Sequence, residues 1–78
     1  MNTNLKQFVL INNFYYGLKF KLFKNDNEIN SLYSEITYAH CRCDRKYYFA
    51  KIDLLELRNK RIRELINDIE VYHFDLIN

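Results

Sequence analysis

Apolar and polar positions alternate along residues 15–23, "YYGLKFKLF". Tyr16, Leu18, Phe20 and Leu22 take one side, Lys19 and Lys21 the other. This period of two is that of a half-buried strand, whose outward lysines discourage edge-to-edge pairing. Gly17 inside it suits a bulge or a close backbone approach. Upstream, "LKQFVLIN" (5–12) holds a mostly apolar run that reads as a first strand, with "NNF" as the turn between. "KNDNE" (24–28) reads as the next turn, because Asn and Asp hydrogen-bond their own backbone.

The stretch that follows fits two periods. Ile29, Leu32, Tyr33 and Ile36 have the spacing of a short helix face, whereas Leu32, Ser34, Ile36 and Tyr38 line one side of a strand. The β-branched and aromatic residues near its end favour the strand, about 30–43. "CDRK" then turns the chain into "YYFAKI" (47–52), closing a hairpin. Residues 53–70, "DLLELRNKRIRELINDIE", form the clearest element. At about 100° per residue, Leu55, Ile62, Leu65, Ile66 and Ile69 share one helical stripe. Asp53 is placed as its N-cap and Glu56 as the capping-box acid. The tail, 71–77, alternates again and reads as an extra short strand or a peptide laid along the helix. The expected architecture is α+β: an antiparallel sheet of about four strands (5–12, 15–23, 30–43, 47–52) crossed by one main helix (53–70).

Composition fits one compact domain over residues 1–78. The chain is 49% hydrophobic with no proline and one glycine, unlike a disordered segment. Its formal charge of +2, from 12 Lys and Arg against 10 Asp and Glu, suits neither a nucleic-acid packager nor an acidic mimic of nucleic acid. The apolar run Phe8–Ile11 is too short for a secretory leader, and no run approaches the ~18 residues of a membrane span. The expectation is a cytoplasmic protein (in a host cell, if phage-encoded) without a membrane partner. The abundance of Asn, Ile, Lys, Tyr and Phe, residues of A/T-rich codons, points to a low-GC bacterium, its phage or a large DNA virus.

Residues 40–48, "HCRCDRKYY", hold both cysteines. Zinc asks for four Cys or His ligands at tetrahedral angles. On a strand Cys41 and Cys43 share a face and His40 takes the other, so the set is two ligands short; His73 and Asp75 are the distant alternatives. C-x-C is not the C-x-x-C redox pattern, and His40 is badly placed as a base for Cys41. Both thiols are expected to pack inward as small apolar groups. No metal, cofactor or catalytic grouping is expected.

The same stretch joins Arg42, Arg45 and Lys46 to Tyr47 and Tyr48, phosphate-binding charges beside stacking faces. Arg58 lies at the edge of the helical stripe and Leu57 off it, and with Arg61 they edge a candidate partner-binding surface. Seven tyrosines exceed what a small core buries easily, and Tyr and Arg recur in interface hot spots. The partner-binding candidates are therefore Arg42, Arg45, Lys46, Tyr47, Arg58, Arg61, Leu57 and Tyr15. Glu64, Asp68 and Glu70 would serve a basic partner instead. These features favour a non-catalytic binding protein that occludes or bridges a larger macromolecule, with a protein or nucleoprotein complex as partner. By base-rate analogy alone, a mobile-element inhibitor of host defence, like the anti-CRISPR proteins, fits the size and composition. A small RNA- or DNA-binding module using the hairpin at 42–48 is the alternative. A sheet with an exposed edge would leave a homodimer open.

Overall fold

The computed structural model describes residues 2–73 and 75, with the burial of side chains from residue 5 onward. Two helices account for nearly all of it. α1 (Asn2–Tyr38, 37 residues) and α2 (Arg42–Tyr72, 31 residues) fold back on one another as an antiparallel hairpin. The result is a rod of 60 × 15 × 14 Å. The expected α+β fold is overturned: among the described residues there is no strand, and segments 5–12, 15–23, 30–38 and 47–52 are all helical.

The pattern that binds the helices together is a heptad. Phe8, Tyr15, Leu22, Ile29 and Ile36 repeat every seven residues along α1, and Ile11, Leu18, Asn25 and Leu32 form the second series, which Ala39 continues into the bend. On α2 the two series are Ile52, Asn59 and Ile66, and Tyr48, Leu55, Ile62 and Ile69. All of these positions are buried or half-buried, as a left-handed coiled-coil seam requires. With no proline there is nothing to break either helix. Most helical stability comes from such a buried stripe and not from intrinsic propensity, so aromatic and β-branched residues are carried as helix.

The seam is not uniform. Tyr15, Leu18, Ile62, Ile66 and Ile69 form one apolar cluster, with Ile11 and Leu22 against it. Ile29, Leu32, Ile52 and Leu55 form another, with Ile36 and Tyr48 against it. A polar layer stands between them. Asn59, only 1% exposed, accepts a hydrogen bond from Asn25 Nδ2 at 2.9 Å and donates through its own Nδ2 to Asp26 Oδ1 at 3.0 Å. The segment "KNDNE" is therefore no turn: its Asn25 and Asp26 supply this layer from inside α1. Counting by heptads from the Asn25–Asn59 layer sets Leu18 level with Ile66 and Tyr15 with Ile69. In the other direction it sets Leu32 level with Ile52.

The chain reverses at residues 39–41, without any residue of positive φ. The predicted reversal at "CDRK" is thus displaced, and residues 43–46 lie in the opening turns of α2. Arg45 closes the bend by donating from Nε (3.2 Å) and a terminal nitrogen (3.1 Å) to the Ala39 carbonyl at the end of α1. Cys41 is the N-cap of α2, its sulfur accepting from the Cys43 backbone N–H at 3.3 Å. Asp53 and Glu56, expected at the start of a helix, lie well inside one that begins eleven residues earlier. Of the expected stripe, Leu55, Ile62, Ile66 and Ile69 are buried, while Leu65 is 43% exposed. The predicted short strand at 71–77 is helix through Tyr72, and His73 ends it by donating its N–H to the Ile69 carbonyl at 2.8 Å. Residues 74, 76 and 77 of that segment lie outside the described ones.

Candidate functional site: a basic band across both helices

The sequence candidates fall into three groups. The first, Arg42, Arg45, Lys46 and Tyr47, sits at the closed end of the rod on the opening turns of α2. All four are exposed, but Arg45 is engaged with Ala39 and serves the bend. Tyr47 meets Tyr48 edge to face, with ring centroids 5.6 Å apart. Tyr48 leans on the closed-end core, which leaves Tyr47, 62% exposed, as the outward ring.

The cysteines do not pack inward: both are exposed. The strand argument that separated them from His40 falls with the strand, since His40 and Cys41 are consecutive residues of the bend. They line an open dent of about 270 Å³ together with Glu35, Tyr38, Ala39, Asp44 and Tyr48. The backbone N–H groups of Asp44 and Cys43 hold the Cys41 thiol below its ordinary value, because an N-cap acceptor is favoured as an anion. Among the described residues no group of three or more His, Cys, Asp and Glu is arranged to hold a metal ion.

The second group is changed most by the fold. An ion pair between Glu28 and Lys51 at 3.4 Å fixes which flanks of the two helices adjoin. One heptad toward the open end, the same register sets Lys21 opposite Arg58, and the next sets Phe14 opposite Leu65. Lys24 and Arg61 lie one turn outward on the same side. Four exposed cations from two distant segments thus converge on one flank, with exposed Leu54 and Leu57 at the border. Arg58, Arg61 and Leu57 were legible as candidates. Lys21 and Lys24 were missed, because strand alternation had placed Lys21 on the solvent face of a sheet and Lys24 in a turn. A heptad count through α1 would have found both.

The third group does not converge. Glu64, Asp68 and Glu70 are exposed, but only Glu64 and Asp68, four residues apart, share a side of α2. Tyr15 is withdrawn from the binding set, being 5% exposed within the open-end core. The Lys19 ammonium sits over its ring at 4.5 Å, and interaction with the Tyr15 hydroxyl raises the Lys19 pKa above its ordinary value.

No helix among the described residues is long and apolar enough to cross a membrane. No protein-family model, no curated protein and no solved structure matches the chain.

Proposed function

We propose that the chain is a non-catalytic binding module that docks an acidic macromolecular surface along its basic band. The observation that carries this reading is the convergence of Lys21 and Lys24 with Arg58 and Arg61 on one flank of a rigid rod. Two arginines supply planar, many-donor groups suited to carboxylates and phosphates, and the lysines add point charge beside them. Leu54 and Leu57 supply the apolar contact that charge alone lacks. A rod 60 Å long can cover a partner's working surface or join two partners, as an inhibitor or adaptor does. Inhibition of a host nucleoprotein defence complex is one such role, proposed on size and composition.

Capture from lysate by the wild-type chain and by an Arg58→Glu/Arg61→Glu variant tests the assignment. A partner retained by the wild type and depleted about tenfold or more by charge reversal, a change of about 1.4 kcal/mol, is the expected result. Species that bind both chains equally would remove the band from the site. Nuclease treatment separates the alternative: loss of capture after digestion, with steep salt dependence, identifies phosphate as the ligand.

A further inference from the structure

A second surface lies on the outward side of α1 in the same open half of the rod, and it differs in kind from the basic band. From residue 2 to residue 25 the helix carries Lys6, Lys19, Lys21 and Lys24 and no acidic residue. Over the same span its side away from α2 is apolar. Val9, Leu10, Tyr16, Phe20 and Phe23 are 48%, 59%, 47%, 63% and 62% exposed. Their positions in the heptad place them on one outward arc, with Lys6 and Lys24 at its two ends. The Lys24 ammonium folds back over the Phe20 ring at 5.7 Å. The rod exposes 6367 Å², where a compact monomer of its mass would expose about 5,100 Å². Part of that excess is this uncovered aromatic arc.

We propose that this arc lays the open half of the hairpin in the plane of an anionic lipid bilayer. Crossing a membrane and lying in its interface are separate properties, and only the first needs ~20 apolar residues in a row. An interfacial helix needs an apolar arc buried to the headgroup boundary and cations able to reach lipid phosphates. Lysine does this by extending its stem along the apolar surface with the ammonium outward. Residues 5–24 meet both needs on a helix already held straight by its partner, so binding carries no cost of folding. α2 would then face water, leaving its outer side free.

Charge decides between a bilayer and a second copy of the chain. Two copies laid α1 against α1 in antiparallel fashion, with Leu10 matched to Phe20, would bring the two apolar arcs together. The same alignment would set Lys6 against Lys24 at both ends of the contact, where like charges repel. The neighbouring side of α2, with Lys60, Arg63 and Glu70, offers no matching apolar stripe. An anionic bilayer satisfies the apolar arc and the lysines at its two ends, Lys6 and Lys24, together.

Co-sedimentation of the full chain with vesicles tests the proposal. Phosphatidylglycerol mixed into phosphatidylcholine should bind the chain at least about tenfold more tightly than phosphatidylcholine alone, with affinity falling as salt rises. Phe20→Ser/Phe23→Ser should lower that binding about tenfold or more, with its helical circular dichroism unchanged. Arg58→Glu/Arg61→Glu should leave most of it intact, which separates this surface from the basic band. Because the chain has no tryptophan, Phe20→Trp gives a clean reporter whose emission should shift to the blue on anionic vesicles. Absence of binding to anionic vesicles overturns the proposal. So does binding indifferent to Phe20 and Phe23 but abolished at Arg58 and Arg61. A wild-type dimer that Phe20→Ser/Phe23→Ser converts to monomer, without vesicle binding, would assign the arc to a second copy instead.

Discussion

The Asn25–Asn59 layer divides the hairpin into two halves with similar cores and opposite surfaces. In the closed half, α1 carries Asp26, Glu28 and Glu35 and no basic residue through Tyr38, and its outward positions are mostly polar. In the open half, α1 carries four lysines and no acid, and much of its outward side is aromatic or aliphatic. A seam of heptads serves both halves equally well, since it constrains only the residues that face α2. The outer surface is free of that constraint, and there the two halves diverge. The difference separates what the fold requires from what it permits. The closed half reads as a hairpin stabilised for its own sake, and the open half as one with surface left over for something else.

The largest expected effects lie in the core. Ile52 in the closed half is 1% exposed, and Ile66 in the open half is 8% exposed. Truncation of a buried isoleucine to alanine costs about 2–5 kcal/mol. Ile52→Ala should fall high in that range and Ile66→Ala near its low end, because the bend holds the helices together beside the first site. For a domain of this size each kcal/mol moves the thermal midpoint by about 4–8 °C. Thermal melts followed by circular dichroism would rank the two. Equal losses would show that the halves are matched in stability and differ only outside.

The polar layer itself comes next. Asn59→Ala removes the shared partner of Asn25 and Asp26, and a stranded polar group costs about 1–3 kcal/mol. The double change Asn25→Leu/Asn59→Leu should act in the opposite direction. It joins the two apolar clusters and raises the melting midpoint, while removing the polar layer that tells neighbouring heptads apart. Size-exclusion chromatography should then show a broader distribution of assemblies than the wild type. A single sharp species would mean that the bend alone sets the register.

Much of the candidate surface was legible in the sequence, and most of the fold was not. Residues 53–70 read as helix because one face there is apolar and the other charged. The first half of α1 defeats that reading because it is apolar on two faces. Tyr16 and Phe20 lie outward while Leu18 and Leu22 lie on the seam, so the four together imitate a strand. The same surplus that hid the helix is the surface proposed to meet lipid. "KNDNE" misled for a related reason, since Asn and Asp mark turns when solvated and layers when buried. Two signals did point the right way: the absence of proline across the chain, and a heptad that runs unbroken through Asn25 once those residues are counted as core.

The smallest expected effect tests how firmly the closed half is closed. Cys41 caps α2 through its sulfur, and the backbone N–H groups of Asp44 and Cys43 lower its pKa from the ordinary 9.0. A group whose pKa is lower folded than unfolded adds stability fully above its unfolded value. That contribution is lost as pH falls through the folded value. The thiolate cap therefore strengthens the hairpin as pH rises toward 9.0, and at lower pH the neutral thiol is a weaker acceptor. In a Cys43→Ser chain, alkylation by iodoacetamide reads Cys41 alone. The rate should rise with pH at a lower midpoint in the native protein than in the same chain unfolded in guanidinium. Coincident midpoints would mean that the cap frays in solution and that the bend depends on Arg45. Cys41→Ser should keep the melting midpoint nearly unchanged, since serine is a good N-cap, and should abolish the rise in stability with pH. If that rise persists without the thiol, its source lies elsewhere in the hairpin, and the closed end owes less to its cap than the geometry at Cys41 implies.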